Sequence, residues 1–377
     1  MRSAVLVAAP RRRYLPATRM YRALRPLLFR LPPDTAHEWA FAALGPVEHS
    51  RTLRAAVRAT FAAPRDPRVA VRVMGLDFPS PLGIAGGFDK NARRPRALAA
   101  LGFGHLELGT VTALPQAPNP PPNLFRLPAD RALVNRLGFP NEGATTVAAR
   151  VRRVRSAVGV PIGMSIGKSR AVKVEDLDAV VADYVASMEA VRDVADFVVV
   201  NVSSPNTAGL RSMQAGEHAR ALLSALASRT QGKPLLVKIA PDLDDAGLDA
   251  LLAVVEEVEL AGVVATNTTL SRAGLNTDAA RVEAIGAGGL SGPPLRARAL
   301  EVVSRVRRRL GPHVVVVGVG GIERAEHAMN LVRAGADLVQ MYTGFIYEGP
   351  GVAGRIAREL ARMVEREGAK TLRELRG

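Results

Sequence analysis

From about residue 80 the chain repeats one unit, a short apolar run rich in β-branched residues followed by an Ala-, Leu- and Arg-rich stretch with helical spacing. The runs are 82–85, 105–109, 162–164, 197–200, 235–237, 262–265, 314–319 and 338–341, eight in all. Runs this short and this apolar read as strands covered on both faces, which is the condition of a parallel sheet. Eight such strands alternating with helices predict an α/β fold of the (β/α)8 TIM-barrel class.

The pattern before residue 60 is different. Tyr21, Leu24, Leu27, Leu28 and Leu31 recur at helical spacing, Pro32-Pro33-Asp34 interrupts them, and 36–44 resumes as a second apolar helix carrying His37, Trp39 and Phe41. Two short helices with apolar faces, and with Arg22, Arg25 and Arg30 among them, predict an extension that lies on a membrane surface. The same pattern also serves helices that only pack against the barrel. In residues 1–19 the apolar run 4–9 is too short for a signal-peptide core or a spanning helix, and Pro10 and Arg11 to Arg13 follow it. The expected division is a disordered basic tail at 1–19, a helical extension at 20–60 and a barrel at 61–377.

Composition narrows the chemistry. The 377 residues are 48% hydrophobic, enough for one large core with an appendage, and the absence of cysteine excludes disulfides, thiolate metal sites and a Cys nucleophile. The net charge is +16, and residues 1–60 hold 11 arginines against three acidic residues, which is half of it. Aromatic residues do not interleave with the basic ones as a base-stacking platform requires, so the charge points to an anionic surface or ligand rather than to nucleic acid.

In a parallel barrel the reacting groups stand at the carboxyl ends of the strands. Reading just past each run gives Gly86, Gly87, Phe88, Asp89 and Lys90, then Thr110, then Ser165, then the polar cluster 201–207 with Asn201, Ser204, Asn206 and Thr207. The later strands end in Lys238, in Thr266, Asn267 and Thr268, in Gly320 and Gly321, and in Tyr342 and Thr343. Two long connections, 111–161 and 268–312, bring Asn135, Arg136, Leu137, Gly138 and Phe139 and also Ser291 and Gly292. Long loops on the active face of a barrel bind or cover the substrate.

The glycine-rich loops around the last two strands predict a nest of backbone N–H groups for a phosphate, and none has the spaced dinucleotide fingerprint, so a mononucleotide is favoured over NAD. Lys90 and Lys238 sit at strand ends in otherwise uncharged surroundings and should each face an anion, a substrate carboxylate or the negative edge of the cofactor for Lys90 and a reduced, anionic flavin ring for Lys238. Asn135, Asn201, Asn206 and Asn267 offer donors and acceptors in alternation, which suits a pyrimidine-like ring. Singly, each is an ordinary turn former. The six histidines avoid these loops, which argues against a Ser-His-Asp hydrolase, and no His/carboxylate spacing suggests a metal site. Ser204 is then expected to act as a base in a desolvated, lidded pocket, with Thr207 relaying the proton.

Together, Ala85-Gly-Gly-Phe-Asp-Lys90, Asn135-Arg-Leu-Gly-Phe139, Asn201-Val-Ser-Ser-Pro-Asn-Thr207, Val237-Lys-Ile-Ala240, Ala265-Thr-Asn-Thr-Thr269, Gly288-Gly-Leu-Ser-Gly292 and Gly318-Val-Gly-Gly-Ile322 resemble dihydroorotate dehydrogenase in order and spacing. The resemblance is to the membrane-associated, quinone-reducing class 2 enzymes, because Ser204 holds the base position where the soluble class has Cys. It implies an FMN-dependent oxidation of dihydroorotate to orotate in de novo pyrimidine synthesis. Ser204 would take the proton from C5 while hydride leaves C6 for FMN, and quinone would be the final acceptor.

On matching positions the resemblance implies substrate contacts from Lys90, the segment 135–139, Asn201, Asn206, Asn267 and Thr268. It implies FMN contacts from Gly86, Gly87, Phe88, Asp89, Lys90, Thr110, Ser165, Asn201, Lys238, Thr266, Ser291, Gly292, Gly320, Gly321, Tyr342 and Thr343. A quinone tunnel would pass His37, Arg126 and Tyr342. The implied setting is a monomer on the cytoplasmic side of the cell (inner) membrane, peripherally bound, with no metal and no nucleic acid. Ser165 stands where many relatives have Asn, and Asn123 where a basic residue often precedes Leu-Phe-Arg. Two other readings stay open at this point: an oxidase of dihydroorotate with a soluble acceptor, and a barrel that binds an anionic nucleotide without redox chemistry.

Overall fold

The computed structural model describes residues 15–377, with side chains described from Met20 onward. All eight predicted strands form, and they close into one parallel barrel in which every strand pairs with its neighbours in sequence. They are β1 (Leu82–Ile84), β2 (Leu106–Val111), β3 (Ile162–Ile166), β4 (Phe197–Asn201), β5 (Leu235–Ile239), β6 (Gly262–Ala265), β7 (Val315–Val319) and β8 (Leu338–Met341). Closure leaves no edge strand to be satisfied by another chain.

Side chains alternate between the two faces of each strand. Inward positions such as Phe197, Val199, Leu236, Val264, Val317 and Leu338 form one apolar cluster inside the barrel. Their outward neighbours, such as Val198, Val200, Val237, Val263 and Val316, join the larger core under the surrounding helices. Both faces are therefore dry, which is why the runs are unbroken. An antiparallel hairpin, Val71–Val73 with Leu76–Phe78, stoppers the amino-terminal end, with Phe78 packed against His105. The helices start on local signals: Asp176 accepts from Ala179 N–H at 3.0 Å, and Asp244 from Gly247 N–H at 2.8 Å.

The two long connections are more ordered than the loops expected from sequence. Leu124–Leu127, Ala132–Asn135 and Gly289–Ser291 form a three-stranded antiparallel sheet over the carboxyl end of the barrel. Its central strand pairs with residues more than 150 positions away, as in Leu290↔Val134, which no local pattern signals.

The amino-terminal part also differs in detail. Helix α1 (Leu15–Leu28) begins ahead of the expected Met20, while residues 1–14, most of the expected tail, lie outside the described residues. Helix α2 (Pro33–Ala43) follows, with its proline in the first turn, where a missing N–H costs nothing. Two further helices, Gly45–His49 and Arg51–Phe61, occupy the rest of the stretch read as a two-helix extension. Ser50 makes that break, its hydroxyl accepting from Leu53 N–H at 3.2 Å. Helix α1 is tied to the barrel by Arg22 on Glu348 at 3.0 Å and by Arg25 on the Tyr347 carbonyl at 2.9 Å. Met20, Leu24, Leu27 and Trp39 remain exposed. Among the described residues no helix is long and apolar enough to cross a membrane.

Candidate functional site

A cavity opens at the carboxyl end of the barrel under the three-stranded sheet, and most of the residues singled out from sequence line it. Its floor is a buried charge pair. Lys238 on β5 donates to Glu107 Oε1 at 3.1 Å, and Gln340 on β8 donates to Glu107 Oε2 at 2.9 Å. The lysine was expected in uncharged surroundings with an anionic ligand; the protein itself supplies an anion from β2, 131 positions away in the chain. Glu107 interrupts an apolar run at an inward position, and that was the one local signal of it. A Cβ on Gly86 would come within 2.2 Å of Glu107 Oε1, so the glycine leaves the room that the carboxylate fills.

Lys90 reaches the cavity wall, where its ammonium donates to the Gly87 carbonyl at 2.6 Å. Burial lowers its pKa to about 8, with Asp89 and Asp34 opposing that shift. A desolvated ammonium with one neutral acceptor is a site for an anion.

The amides form two hydrogen-bonded pairs. Asn201 Nδ2 donates to Thr110 Oγ1 at 3.0 Å, and Asn201 Oδ1 accepts from Asn267 Nδ2 at 3.3 Å. Asn206 Nδ2 donates to Asn135 Oδ1 at 3.0 Å, and Asn135 Nδ2 to the Gly289 carbonyl at 3.3 Å. The four come from strand ends or lid segments of different parts of the chain, and all line the cavity. Ser204 lines it too, on the loop after β4, and its hydroxyl accepts from Asn206 N–H at 3.2 Å.

The opposite end of the cavity is lined by Ser291, Gly292, Gly320, Gly321, Thr343 and Gly344. Gly320 and Gly321 have φ of +145° and +69°, and Cβ atoms there would sit 2.6 Å from Ala299 Cβ and 2.7 Å from Arg296 Cβ. Backbone held in this way can turn N–H groups toward one point. The Ser291 and Thr343 hydroxyls lie 2.8 Å apart beside it. This cradle has no lysine or arginine among its lining residues.

Leu137, Gly138, Phe139, Thr266, Thr268 and Tyr342 also line the cavity. Five other residues expected to serve the substrate, the cofactor or the proton relay do not, and neither do the tunnel residues His37 and Arg126. Ser165 stands behind Thr110, hydroxyl to hydroxyl at 3.0 Å. Asp89 is turned into the protein to accept from the N–H groups of Arg93 and Arg94 at 2.8 and 2.7 Å. Phe88 packs between His37 and Tyr342, with both ring centroids at 5.5 Å. Arg136 turns outward, donating to the carbonyls of Pro122 at 3.0 Å and Ile285 at 2.7 Å, and lies over the Phe125 ring. Thr207 is half-buried off the cavity, so a relay from Ser204 to it requires a bridging water or a movement of the loop.

Of the expected tunnel residues, His37 lies against Phe41 and Phe88, and burial first, then the nearby Lys90 charge, lowers its pKa to about 3. It is therefore a neutral ring among aromatic neighbours. Arg126 donates to the Leu31 carbonyl at 2.8 Å and covers the Phe29 ring at 4.6 Å, closing the end of α1. The rings of His37, Phe88 and Tyr342 run in contact from α2 to the cavity wall. Among the described residues no group of three or more His, Asp or Glu is arranged to hold a metal ion.

Comparison with known proteins adds a second line of observation. The family model for dihydroorotate dehydrogenase matches residues 68–364. A dihydroorotate dehydrogenase (quinone) from Rhodococcus opacus is 51% identical over 358 residues, covering 95% of this chain and 99% of that protein. The protein of the same name from Thermobifida fusca is 51% identical over 359 residues, covering 93% of this chain and 94% of its own length. Among solved structures, the DHODH of Eimeria tenella in complex with ferulenol superposes with a TM-score of 0.82 at 32% identity, covering 94% of this chain and 98% of that one.

Proposed function

The chain belongs to the dihydroorotate dehydrogenase family, and on that premise we propose that it oxidises dihydroorotate to orotate with FMN at the barrel mouth and quinone as final acceptor. The observation that carries this reading is the position of Ser204: a hydroxyl in a cavity lined by two pairs of amides, which also holds the desolvated Lys90 ammonium and ends in a glycine cradle. An anionic pyrimidine and a phosphorylated ring cofactor have complementary needs at those places.

The residues fit FMN. A phosphate suits the cradle at Gly292, Gly320, Gly321 and Gly344, where Cβ atoms are sterically excluded and two hydroxyls can donate. The ring system would extend toward Lys238, whose ammonium is held in place by Glu107. When bound, FMN would supply the acceptor for the hydride leaving C6 and the two-electron link to quinone.

The chain's own residues then do the following. Lys90 pairs with the substrate carboxylate, while Asn135, Asn201, Asn206 and Asn267 hold the ring's alternating carbonyl and N–H edge. Ser204 Oγ accepts the C5 proton as its own hydroxyl proton passes to a water on the way to Thr207, and loss of the C5 proton and of hydride from C6 together leave the C5=C6 double bond. The three-stranded sheet and the loop after β4 exclude bulk water, which raises the worth of each polar contact. The exposed Met20, Leu24, Leu27 and Trp39, flanked by arginines, support peripheral attachment to a membrane surface, and the proposal places the protein there as a monomer on the cytoplasmic side of the cell membrane. Quinone would enter between α1 and α2 and pass His37 toward Tyr342.

The test is anaerobic. Purified holoprotein mixed with dihydroorotate should lose its flavin absorbance, and a short-chain quinone, but not fumarate, should restore it. A protein that dihydroorotate does not bleach would overturn the assignment, and recovery with fumarate alone would overturn the acceptor.

A further inference from the structure

We propose that Arg211 is a positioning residue that registers the base-bearing loop against the substrate-amide loop, with Asp242 as its counter-ion. The proposal rests on the reading of Ser204 as the base.

Arg211 lies in the 3-10 turn Leu210–Gln214, and its guanidinium ties together the segments that follow three successive strands. Its Nε donates to the Ser203 carbonyl at 3.2 Å, after β4, and its Nη2 donates to the Thr268 carbonyl at 3.0 Å, after β6. Its Nη1 donates to Asp242 Oδ2 at 2.7 Å, after β5. Asp242 completes the tie, since its Oδ1 accepts from the Thr269 hydroxyl and its Oδ2 from Leu270 N–H at 3.1 Å. Thr269 is in turn bridged to Leu290 of the covering sheet by N–H···O bonds of 3.0 and 2.8 Å.

Both carbonyls held by Arg211 belong to peptide planes that adjoin site residues. The Ser203 carbonyl shares its plane with the Ser204 N–H, so holding it fixes the Ser204 N–Cα bond from which the side chain departs. The Thr268 carbonyl ends the segment that carries Asn267. The Ser204 hydroxyl accepts from Asn206 on the same loop, and the preceding Ser203 is tied through its N–H and hydroxyl to Asn201 Oδ1 and through its hydroxyl to Asn267 Nδ2 at 3.0 Å, so Arg211 adds the main-chain tie to a side-chain one. Arg211 itself does not line the cavity. It acts on the distance between a proton acceptor and the carbon that loses the proton, a quantity to which rates respond steeply. Arg211 and Asp242 are only 21% and 25% exposed, so losing the guanidinium also leaves two carbonyls and a carboxylate short of a donor, and the positioning role is read from isotope effects rather than from stability.

The experiment uses the full-length FMN-loaded protein and stopped-flow reduction by dihydroorotate, unlabelled or deuterated at C5 or at C6, with orotate affinity read separately from the flavin spectrum. Arg211→Ala should slow reduction about 10- to 100-fold, raise the C5 isotope effect relative to the C6 effect, and change orotate affinity less than about threefold. Arg211→Lys should recover little, since one ammonium cannot fork to two carbonyls and a carboxylate. If Arg211→Ala does not retain FMN, Arg211→Lys decides alone, because it keeps the charge beside Asp242 and loses the fork. Wild-type rates, or a slower reduction with the ratio of isotope effects unmoved, would overturn the proposal. Ser204→Ala run alongside separates the two readings: full reduction there removes the base, whereas an impaired Ser204→Ala beside an unimpaired Arg211 variant removes only the positioning role.

Discussion

Lys238 Nζ and Glu107 Oε1 meet at 3.1 Å inside the barrel, with 6% and 0% of their side chains exposed. A buried pair of this kind is poor evidence of net stabilisation, but removing one partner strands the other. Glu107→Gln should therefore destabilise the protein by about 3–5 kcal/mol and loosen FMN. Adding Lys238→Met to it should recover part of the stability without recovering FMN affinity. Denaturant titration and flavin retention after gel filtration measure the two effects, and a Glu107→Gln protein as stable as the parent would contradict the account.

Gly86→Ala should reproduce the loss seen in Glu107→Gln, since its methyl would lie 2.2 Å from the carboxylate. The same change made on a Glu107→Ala background should cost much less. A double-mutant cycle reads this directly, and simple additivity would mean that the contact is not the cause.

Ser204→Ala should lower reduction by dihydroorotate near neutral pH by roughly 10²- to 10⁴-fold, the usual worth of a positioned proton acceptor. FMN content should stay at the parent level, because Ser204 lies on the amide side of the cavity and away from the glycine cradle. Single-turnover rates and the flavin-to-protein ratio check both parts.

Burial lowers the Lys90 pKa from 10.5 to about 8. The sign for binding is that the ammonium is present below pH 8, so orotate affinity should be full there and fall as pH rises through 8. The sign for folding is opposite. The unfolded chain binds more protons than the folded one between pH 8 and 10.5, so the ligand-free protein gains stability from this group across that window. Lys90→Met should flatten both profiles, as measured by flavin spectral titration and by thermal melts at each pH.

Trp39→Asp combined with Leu24→Asp should weaken sedimentation with anionic vesicles by at least about tenfold, since both side chains are exposed on α2 and α1. Turnover with a water-soluble short-chain quinone should change little. Undiminished vesicle binding would remove these helices as the membrane contact.

Much of this protein is legible without a structure, because its signals are local. A strand buried on both faces has to be apolar throughout, so eight such runs define the barrel, and the first polar residue after each run marks the active face. Lys90, Ser204, Asn201, Asn206 and Asn267 were found in that way, and Asn135 from its place in a long connection. Interruptions inside the runs were the signal left unread: Glu107 breaks one, and its inward position made it the partner of Lys238. Arg136 shows the converse, a residue inside a matching segment whose side chain turns to the outer carbonyls of Pro122 and Ile285.

What the sequence by itself determined is therefore the period of the fold, the face that carries chemistry and the types of group present there. Only the tertiary structure decided which groups meet. Glu107 and Lys238 are 131 positions apart, and Arg211 gathers residues 203, 242 and 268 at one guanidinium. Such contacts follow from barrel closure and from the paths of long loops, and neither is encoded in the spacing of neighbouring residues.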